Sequence, residues 1–521
     1  MKALSVLYGG RLEDEAFVTV LPGGKSAVSL ALAAAGLFPD VQKTVFLGIE
    51  GKGCPDLPPG VEAVLRPSWK RKELLEEISR LSSGFDLTYF AWADCPLLDP
   101  ALAASLAERH TRYGAEYSYA DGWPYGFAPE LLAPGTAGIL AKISENDDAP
   151  VERGSLFDVI QKDINAFDIE TEISPVDLRP YRLNLAADSK RNLLLLSRLM
   201  EAGLKSAADA ERYITEKPEL LRTLPAFFHI QVSGACPQAC SICPWPLYGE
   251  AGDTPVTGRK DFMDVAAFAP LLDKIAGFAG DAVIDLSLWG ELALHPEKME
   301  LIKMVLSRPA LSLILETSGI GWKDDELEVL AQAASKTAPR KNHMASLSWI
   351  VSLDAHSPDR YREVRGPGFS EAQNCAKKLL SLFPNDAYVQ AVRVKDFEDD
   401  IEQFYRSWKE LGRKDGSHII IQKYNDFCGA LPKLQASDLS PVKRRPCWHI
   451  QRDMNILLDG SVPCCREDLA AVRGNGGVMG NAFSEELAVI WERGASLYME
   501  HCKLNYKGIC AGCDEYYTYN F

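Results

Sequence analysis

Cys236, Cys240 and Cys243 stand in GACPQACSICPW, a CxxxCxxC triplet directly after the apolar stretch FFHIQV. Three thiolates at that spacing can hold three irons of a [4Fe-4S] cube from one short loop. Structural clusters take four cysteines, so a triplet with no near fourth leaves one iron for a ligand from outside the protein. S-adenosylmethionine (SAM) is the small molecule that fits. An electron from the cluster would cleave it and release a 5′-deoxyadenosyl radical. Zinc is the alternative. It takes paired CxxC knuckles or Cys/His sets that close a tetrahedron, and no second knuckle lies close in sequence. Iron and sulfide are the expectation here.

Length and composition set the frame. The 521 residues predict about two to four domains with large buried cores. A 47% hydrophobic, 25% charged composition is that of an ordinary globular chain. The formal charge of −16 argues against nucleic acid as a main partner, because phosphate binding needs a basic face. Met1 leads into a strand-like segment, so no signal peptide is expected, and no apolar run would span a bilayer. Thirteen cysteines in cluster-like spacings favour thiolate ligation in a reducing cytoplasm over disulfides.

Three regions must position these groups. Residues 1–205 alternate strands (KALSVLY, TVFLG, LTYFAW) with helices (SAVSLALAAAG, WKRKELLEEISRL), which predicts a parallel α/β sheet. Residues 206–225 read as a helical linker. Residues 226–431 carry six strand candidates: FFHIQV, AVIDLSLW, LSLILET, LSWIVSLD, YVQAVRV and HIIIQ. Amphipathic helices between them predict a partial (β/α)6 barrel of the TIM type, with chemistry at the carboxyl ends of the strands. Residues 432–521 lose the alternation and gain Cys447, Cys464, Cys465, Cys502, Cys510 and Cys513, so a bound cluster would help this small region fold.

The later strand ends agree with the triplet. LWGELALHP offers Gly290 and Glu291, ETSG offers Thr317, Ser318 and Gly319, and VSLDA offers Ser352 and Asp354. Arg365 and Gly366 follow in YREVRGPGF, and Arg393 ends the fifth strand candidate. A polar residue at one strand end is often a cap or a turn. Together they describe one pocket, in which the glycine would let backbone carbonyls approach a ligand ammonium. His295 is expected to order its loop, the FYRSW aromatics to pack, and Cys54, Cys95, Cys375 and Cys428 to sit in cores as small hydrophobes.

On these motifs, residues from about 226 to 521 resemble a radical SAM enzyme with a C-terminal SPASM-type auxiliary-cluster domain. The resemblance implies that Cys236, Cys240 and Cys243 are catalytic cluster ligands. It implies SAM contacts at Gly290, Glu291, Thr317, Ser318, Ser352, Asp354 and Arg393. Leu292, Trp289 and Ile242 depart from the family's usual residues. In the tail it rests on Cys447, DGSVPCC, Gly480-Asn481 with Trp491, and the closing CAGC. It implies a second [4Fe-4S] cluster on Cys447, Cys510, Cys513 and one of two adjacent thiols. Spacing from Gly460 selects Cys465, with Cys464 kept open and Cys502 spare. Four cysteines ending in CxxC also suit structural zinc. A flavodoxin- or ferredoxin-type reductant and a peptide, protein or small-molecule substrate are implied as partners, and the three-region combination resembles spirochete-type SPASM proteins.

The first region resembles cytidylyl and nucleotide-sugar transferases of the doubly wound, nucleotidyltransferase-like fold. WADCPLLDP matches their strand ending in a metal-binding aspartate, here Asp94, and RLNLAADSKRNL places Asp188 at a second acidic position. The glycine-rich arginine loop is poorly kept in YGGRLEDE and LPGGKSAV. GGKS also lacks the first glycine of a P-loop, where Thr19 stands. This region either transfers a nucleotide, making the chain bifunctional, or retains the fold for binding. A non-catalytic Fe–S electron carrier is the third reading.

Overall fold

The computed structural model describes the chain except residues 52–56, 249–260, 396, 438–439, 473–476 and 518–521, so Cys54 lies outside the described residues. Two compact units result, Met1–Thr223 and Leu224–Phe521.

In the first unit the strands are β1 (Ala3–Tyr8), a small pair β2 (Val20–Leu21) and β3 (Lys25–Ser26), β4 (Val41–Ile49), β5 (Val61–Arg66), β6 (Leu87–Trp92), β7 (Tyr117–Asp121), β8 (Glu130–Leu132) and β9 (Ile169–Ile173). One seven-stranded sheet runs in the order β5-β4-β1-β6-β8-β7-β9. β1 pairs in parallel with β4 and β6, while β8 runs antiparallel to both of its neighbours, so the sheet is mixed. Every residue of β1 and β6 is buried, as strands covered on both faces require. GGKS runs from the β2–β3 turn, at Gly23 and Gly24, into β3, and Ser26 caps the helix Ala27–Ala35. The helix Pro100–Tyr113 starts where Asp99 accepts the Ala101 N–H at 2.8 Å with Pro100 in the first turn, and it stops at Gly114 with φ 65°. The segment expected to be a linker is built into this unit. Ala207, Ala210, Tyr213, Ile214 and Leu221 join its core from three short helical turns, Ala207–Asp209, Ala210–Thr215 and Pro218–Leu221.

In the second unit all six expected strands form: β10 (Phe227–Ile230), β11 (Ala282–Asp285), β12 (Leu311–Thr317), β13 (Leu347–Ser352), β14 (Ala387–Arg393) and β15 (Ile419–Lys423). A seventh, β16 (Asp453–Ile456), comes from the cysteine-rich tail and pairs in parallel with β10. The sheet order is β15-β14-β13-β12-β11-β10-β16, open at both edges. The sheet therefore has seven strands where six were expected, and the tail is structurally part of it. Helices Val265–Ala279, Lys298–Leu306, Asp324–Ser335, Phe369–Leu382 and Glu398–Leu411 connect the strands. Of the FYRSW aromatics Phe404 and Trp408 are buried as expected, whereas Tyr405 is exposed, because it lies off the helix face that Phe404 and Trp408 bury. In the tail, β17 (Ser461–Pro463) and β18 (Val478–Asn481) form an antiparallel hairpin.

The period-two pleat sorts the strand residues into layers. Phe228, Ile284, Leu313, Trp349 and Val389 belong to the core shared with the helices. On the opposite face Phe227, Val283, Ile314 and Ile350 form an apolar floor with Tyr388 and Ile420. Two residues further along that face stand His229, Asp285, Glu316, Ser352 and Gln390, a polar layer over the floor.

One end of that layer fastens the tail strand. His229 Nδ1 lies 2.7 Å from Asp285 Oδ2, and its Nε2 lies 3.7 Å from Asp453 Oδ2. Asp453 also takes Arg452 Nε at 2.6 Å and His449 Nδ1 at 2.6 Å. Burial pulls the His229 imidazole down, but the two carboxylates outweigh it and hold its pKa above the ordinary value. A histidine raised in this way contributes stability that is complete below its unfolded pKa of about 6.5 and disappears as pH rises through the folded value. The thermal midpoint of the wild type should fall between pH 6 and pH 9, and His229→Gln should flatten that dependence. Equal slopes in the two proteins would refute the assignment.

Candidate functional site

The triplet loop leaves β10 at its carboxyl end. Cys240 is buried, and Cys236 and Cys243 are half-buried against Trp245, Leu288, Trp289, Leu457 and Leu469. Burial pushes the Cys236 and Cys243 thiols up to about 12 and raises Cys240 as well. Arg365 opposes that rise at Cys240, since its guanidinium favours the thiolate. Thiols in this setting become thiolates by coordinating metal, which deprotonates them outright. Among the described residues, no three Cys, His, Asp or Glu side chains converge as ligands of a single metal ion.

The loop is clamped from the far side of the sheet. Asp354 follows β13 with φ 58°, a left-handed conformation that aspartate tolerates. Its Oδ1 accepts the Val392 N–H at 2.8 Å, and its Oδ2 pairs with buried Arg365. Arg365 Nε donates to Gln238 Oε1 at 3.0 Å, between Cys236 and Cys240 in the chain. Gln238 Nε2 donates to Tyr361 Oη at 2.9 Å, and the Ser241 N–H donates to the Val364 carbonyl at 2.8 Å. The short helix Pro358–Val364 is thus laced to the triplet loop through buried polar groups that leave it little freedom.

Trp289 and Gly290 turn the chain after β11 with φ of 48° and 129°. For a residue as bulky as tryptophan this is a strained backbone, of the kind that clusters at functional sites. Stacking of Trp289 on Trp245, with ring centroids 6.1 Å apart, and contact with Phe427 at 5.6 Å hold it in place. Gly290 is required sterically. A Cβ there would lie 2.0 Å from the Ser233 carbonyl oxygen.

Glu291 is braced internally. Its Oε1 accepts from Thr317 Oγ1 at 2.8 Å and the Ala293 N–H at 3.1 Å. Its Oε2 accepts from the Ser318 N–H and Oγ, both at 2.7 Å. Four donors fill a carboxylate's acceptor sites. Ser352 Oγ donates to Glu316 Oε1 at 2.7 Å, which also takes Gln390 Nε2 at 2.7 Å. Burial raises the Glu316 carboxyl. Gly290, Glu291, Thr317 and Ser318 are thus brought together, as are Ser352 with Glu316 and Asp354 with Arg365. Arg393 is not among them. It has the opposite parity to Tyr388 and Gln390 on β14 and pairs on the surface with Glu398 at 3.0 Å. Glu316 and Gln390 escaped the sequence reading, although their alternation with Ile314 and Tyr388 was there to find. His295 orders its loop as expected, with Nε2 3.0 Å from the Met263 carbonyl.

In the tail, Cys447, Cys465 and Cys510 are buried, while Cys464 and Cys513 are half-buried. Burial pushes Cys447 and Cys464 up to about 12, with Cys510 and Cys513 among the neighbours of Cys447. Cys465 accepts the Glu467 N–H at 3.5 Å, whereas Cys464 turns to Asp468 at 3.6 Å. Cys428 differs from its expected place in a core. It is half-buried beside Cys513, and the interaction of the two thiols raises the Cys428 pKa and lowers that of Cys513. Basic groups face this region: Lys423 pairs with Asp514 at 2.7 Å and Glu515 at 2.6 Å, and Arg444 donates to the Cys510 carbonyl at 2.6 Å.

The brace makes a quantitative expectation. Glu291→Ala strands four donors in a buried setting and should cost about 2–4 kcal/mol, against about 0.5–1.5 kcal/mol for Ser318→Ala. Anaerobic urea titrations check this, and a Ser318→Ala loss as large as that of Glu291→Ala would refute the brace.

No family model matches the chain. It is 35% identical over 374 residues to an uncharacterized protein of Treponema pallidum (strain Nichols), a match spanning 70% of this chain and 98% of that protein. Similar solved structures include Streptococcus suis SuiB bound to precursor peptide SuiA, at 12% identity and TM-score 0.41, covering 74% of this chain and 84% of that one. SuiB bound to S-adenosylmethionine has 13% identity and TM-score 0.38, covering 59% and 76%. A cytidylyltransferase from Leptospira borgpetersenii has 14% identity and TM-score 0.34, covering 42% and 95%. With a relative at that identity matched over nearly its whole length, the chain belongs to the same protein family as the uncharacterized Treponema pallidum protein.

Proposed function

We propose that the second unit is a radical SAM enzyme, with Cys236, Cys240 and Cys243 as ligands of a [4Fe-4S] cluster. The observation that carries this reading is a CxxxCxxC loop at the carboxyl end of the first barrel strand, clamped through Gln238 to the Asp354–Arg365 pair. The donor set fits the cluster, because three thiols on one short loop supply three iron ligands and leave the fourth to SAM. When bound, the cluster supplies an electron that cleaves SAM to a 5′-deoxyadenosyl radical able to abstract hydrogen from a substrate carbon.

The chain's own residues have definable tasks in this reading. Arg365 places a buried positive charge beside Cys240 and offsets the negative charge that three thiolates bring. Gln238, Tyr361 and the backbone of Val364 hold the loop's shape before any ligand arrives. Glu291 acts by positioning, since it fixes Thr317 and Ser318 at the next strand end. The polar layer of Glu316, Ser352 and Gln390 is suited to ribose hydroxyls, which can donate to and accept from these groups. Arg393 has no task there. By family resemblance the substrate is a peptide or protein.

For the tail we propose a second [4Fe-4S] cluster on Cys447, Cys510, Cys513 and Cys465. Cys465 is preferred over Cys464 because its sulfur is buried and already accepts a backbone N–H, as ligand thiolates do.

Anaerobic reconstitution followed by dithionite and SAM tests the whole. The wild type should release 5′-deoxyadenosine and Cys240→Ala should release none. Equal release would leave a non-catalytic Fe–S carrier. Iron and sulfide at about eight of each per chain support two cubes, whereas about four with zinc present reassign the tail.

A further inference from the structure

In the first unit the sheet order reverses at β1, with β4 on one side and β6 on the other. Ligands of open α/β sheets bind outside the carboxyl ends of the strands at such a switch point. The crevice there is walled by Tyr8 and the turn Gly9–Arg11 after β1, and by Trp92 and Asp94 after β6, joined by the Ala93 N–H donating to the Tyr8 carbonyl at 2.9 Å. Asp94 is 1% exposed. Asp188 faces it, fixed by the Asn184 and Asn192 side-chain amides at 2.8 and 2.7 Å. Two carboxylates aimed at one point form the ligand set that a divalent cation would take.

That point is filled from within the chain. Arg153 Nη2 pairs with Asp94 and lies 3.2 Å from Asp188 Oδ2, while its Nη1 donates to Asp94 Oδ1 at 3.3 Å and to Tyr125 Oη at 3.2 Å. Its guanidinium carbon lies over the rings of Trp92 and Tyr125, at 4.5 and 4.9 Å. The preceding residue faces the other wall. Glu152 pairs with Arg11, whose Nη1 also donates to the Val151 carbonyl at 3.1 Å. Arginine forks receive carboxylate and phosphate alike. The strap is fixed at its base, with Val151 buried and Ser155 Oγ accepting the Glu152 N–H at 2.7 Å.

We infer that Glu152 and Arg153 are a built-in ligand of this crevice, the guanidinium standing where a divalent cation would sit and the carboxylate where a cation-bound phosphate would sit. The residues do not fit a metal ion, because a cation coordinated by Asp94 and Asp188 cannot share their oxygens with a guanidinium already bonded to both. The first unit is then a closed crevice that takes up neither divalent metal nor a metal-bound di- or triphosphate.

Full-length protein titrated with Mn2+, with the free ion read by electron paramagnetic resonance, tests this. The wild type should show no Mn2+ uptake that Asp188→Asn removes. Arg153→Ala should gain a site about tenfold tighter or better, lost again when Asp188→Asn is added. Its melting temperature should rise with Mn2+, while that of the wild type stays fixed. Inorganic pyrophosphate with Mn2+ should bind the Glu152→Ala/Arg153→Ala protein and not the wild type. Asp188-dependent Mn2+ uptake by the wild type overturns the inference, and so does a folded Arg153→Ala protein with no new site. If Arg153→Ala does not fold, the wild-type comparison with Asp188→Asn still decides.

Discussion

The second unit depends on the two-residue period of its strands. Each strand sends one set of side chains to the helices and the other to the opposite face, and on that face the character changes from apolar to polar within two residues. Phe227, Val283, Ile314 and Ile350 make a dry floor, and His229, Asp285, Glu316 and Ser352 stand directly above them. A floor of this kind excludes water from below, so the polar layer's hydrogen bonds operate in a lower dielectric than water. The pleat leaves the strands no choice of register. Shifting one by a single residue would put a carboxylate into the helix-facing core and an isoleucine into the polar layer.

That constraint also explains how the tail is tied in. β16 pairs Asp453 with Phe227 and Asn455 with His229, and the Asp453 carboxylate reaches to 3.7 Å from the His229 ring, so its position is set by charge as well as by strand pairing. Its far end leads to the β17–β18 hairpin and to Cys464 and Cys465. Three buried charges here are paired: His229 with two carboxylates, Asp453 with an arginine and two histidines, and Arg365 with Asp354. Removing one member of such a set costs more than the set contributes, because the remainder is left buried and uncompensated.

Three strands of the first unit and the six main strands of the second were legible in the sequence, since alternation and helical periodicity are local properties. The triplet loop was legible for the same reason. What escaped was set by distance in the chain or by parity. Arg393 was placed in the site because it ends a strand, yet it lies one residue out of phase with Tyr388 and Gln390, on the side of Val389 and Ala391, and pairs with Glu398 at the surface. Glu291 was read as a ligand for a cofactor, but its oxygens are filled by Thr317 and Ser318, which could not be known before β11 and β12 were paired. The strand Asp453–Ile456 was hidden among cysteines, and its partner β10 is more than two hundred residues away. Cys428 looked like a core residue because nothing near it in sequence points to Cys513.

Both units place polar groups at the carboxyl ends of parallel strands, and both satisfy those groups internally, but the consequences differ. In the second unit Asp354, Arg365 and Gln238 satisfy one another around the triplet, with Arg365 beside Cys240, and the three cysteines stay free of disulfides. In the first, Asp94 and Asp188 close on Arg153, and Arg11 closes on Glu152, so the network consumes the place itself. A buried carboxylate such as Asp94, with a second one facing it, is stabilised by a cation whatever its source. When the chain supplies that cation from its own arginine, folding alone completes the site, and the unit's stability no longer depends on the concentration of an ion.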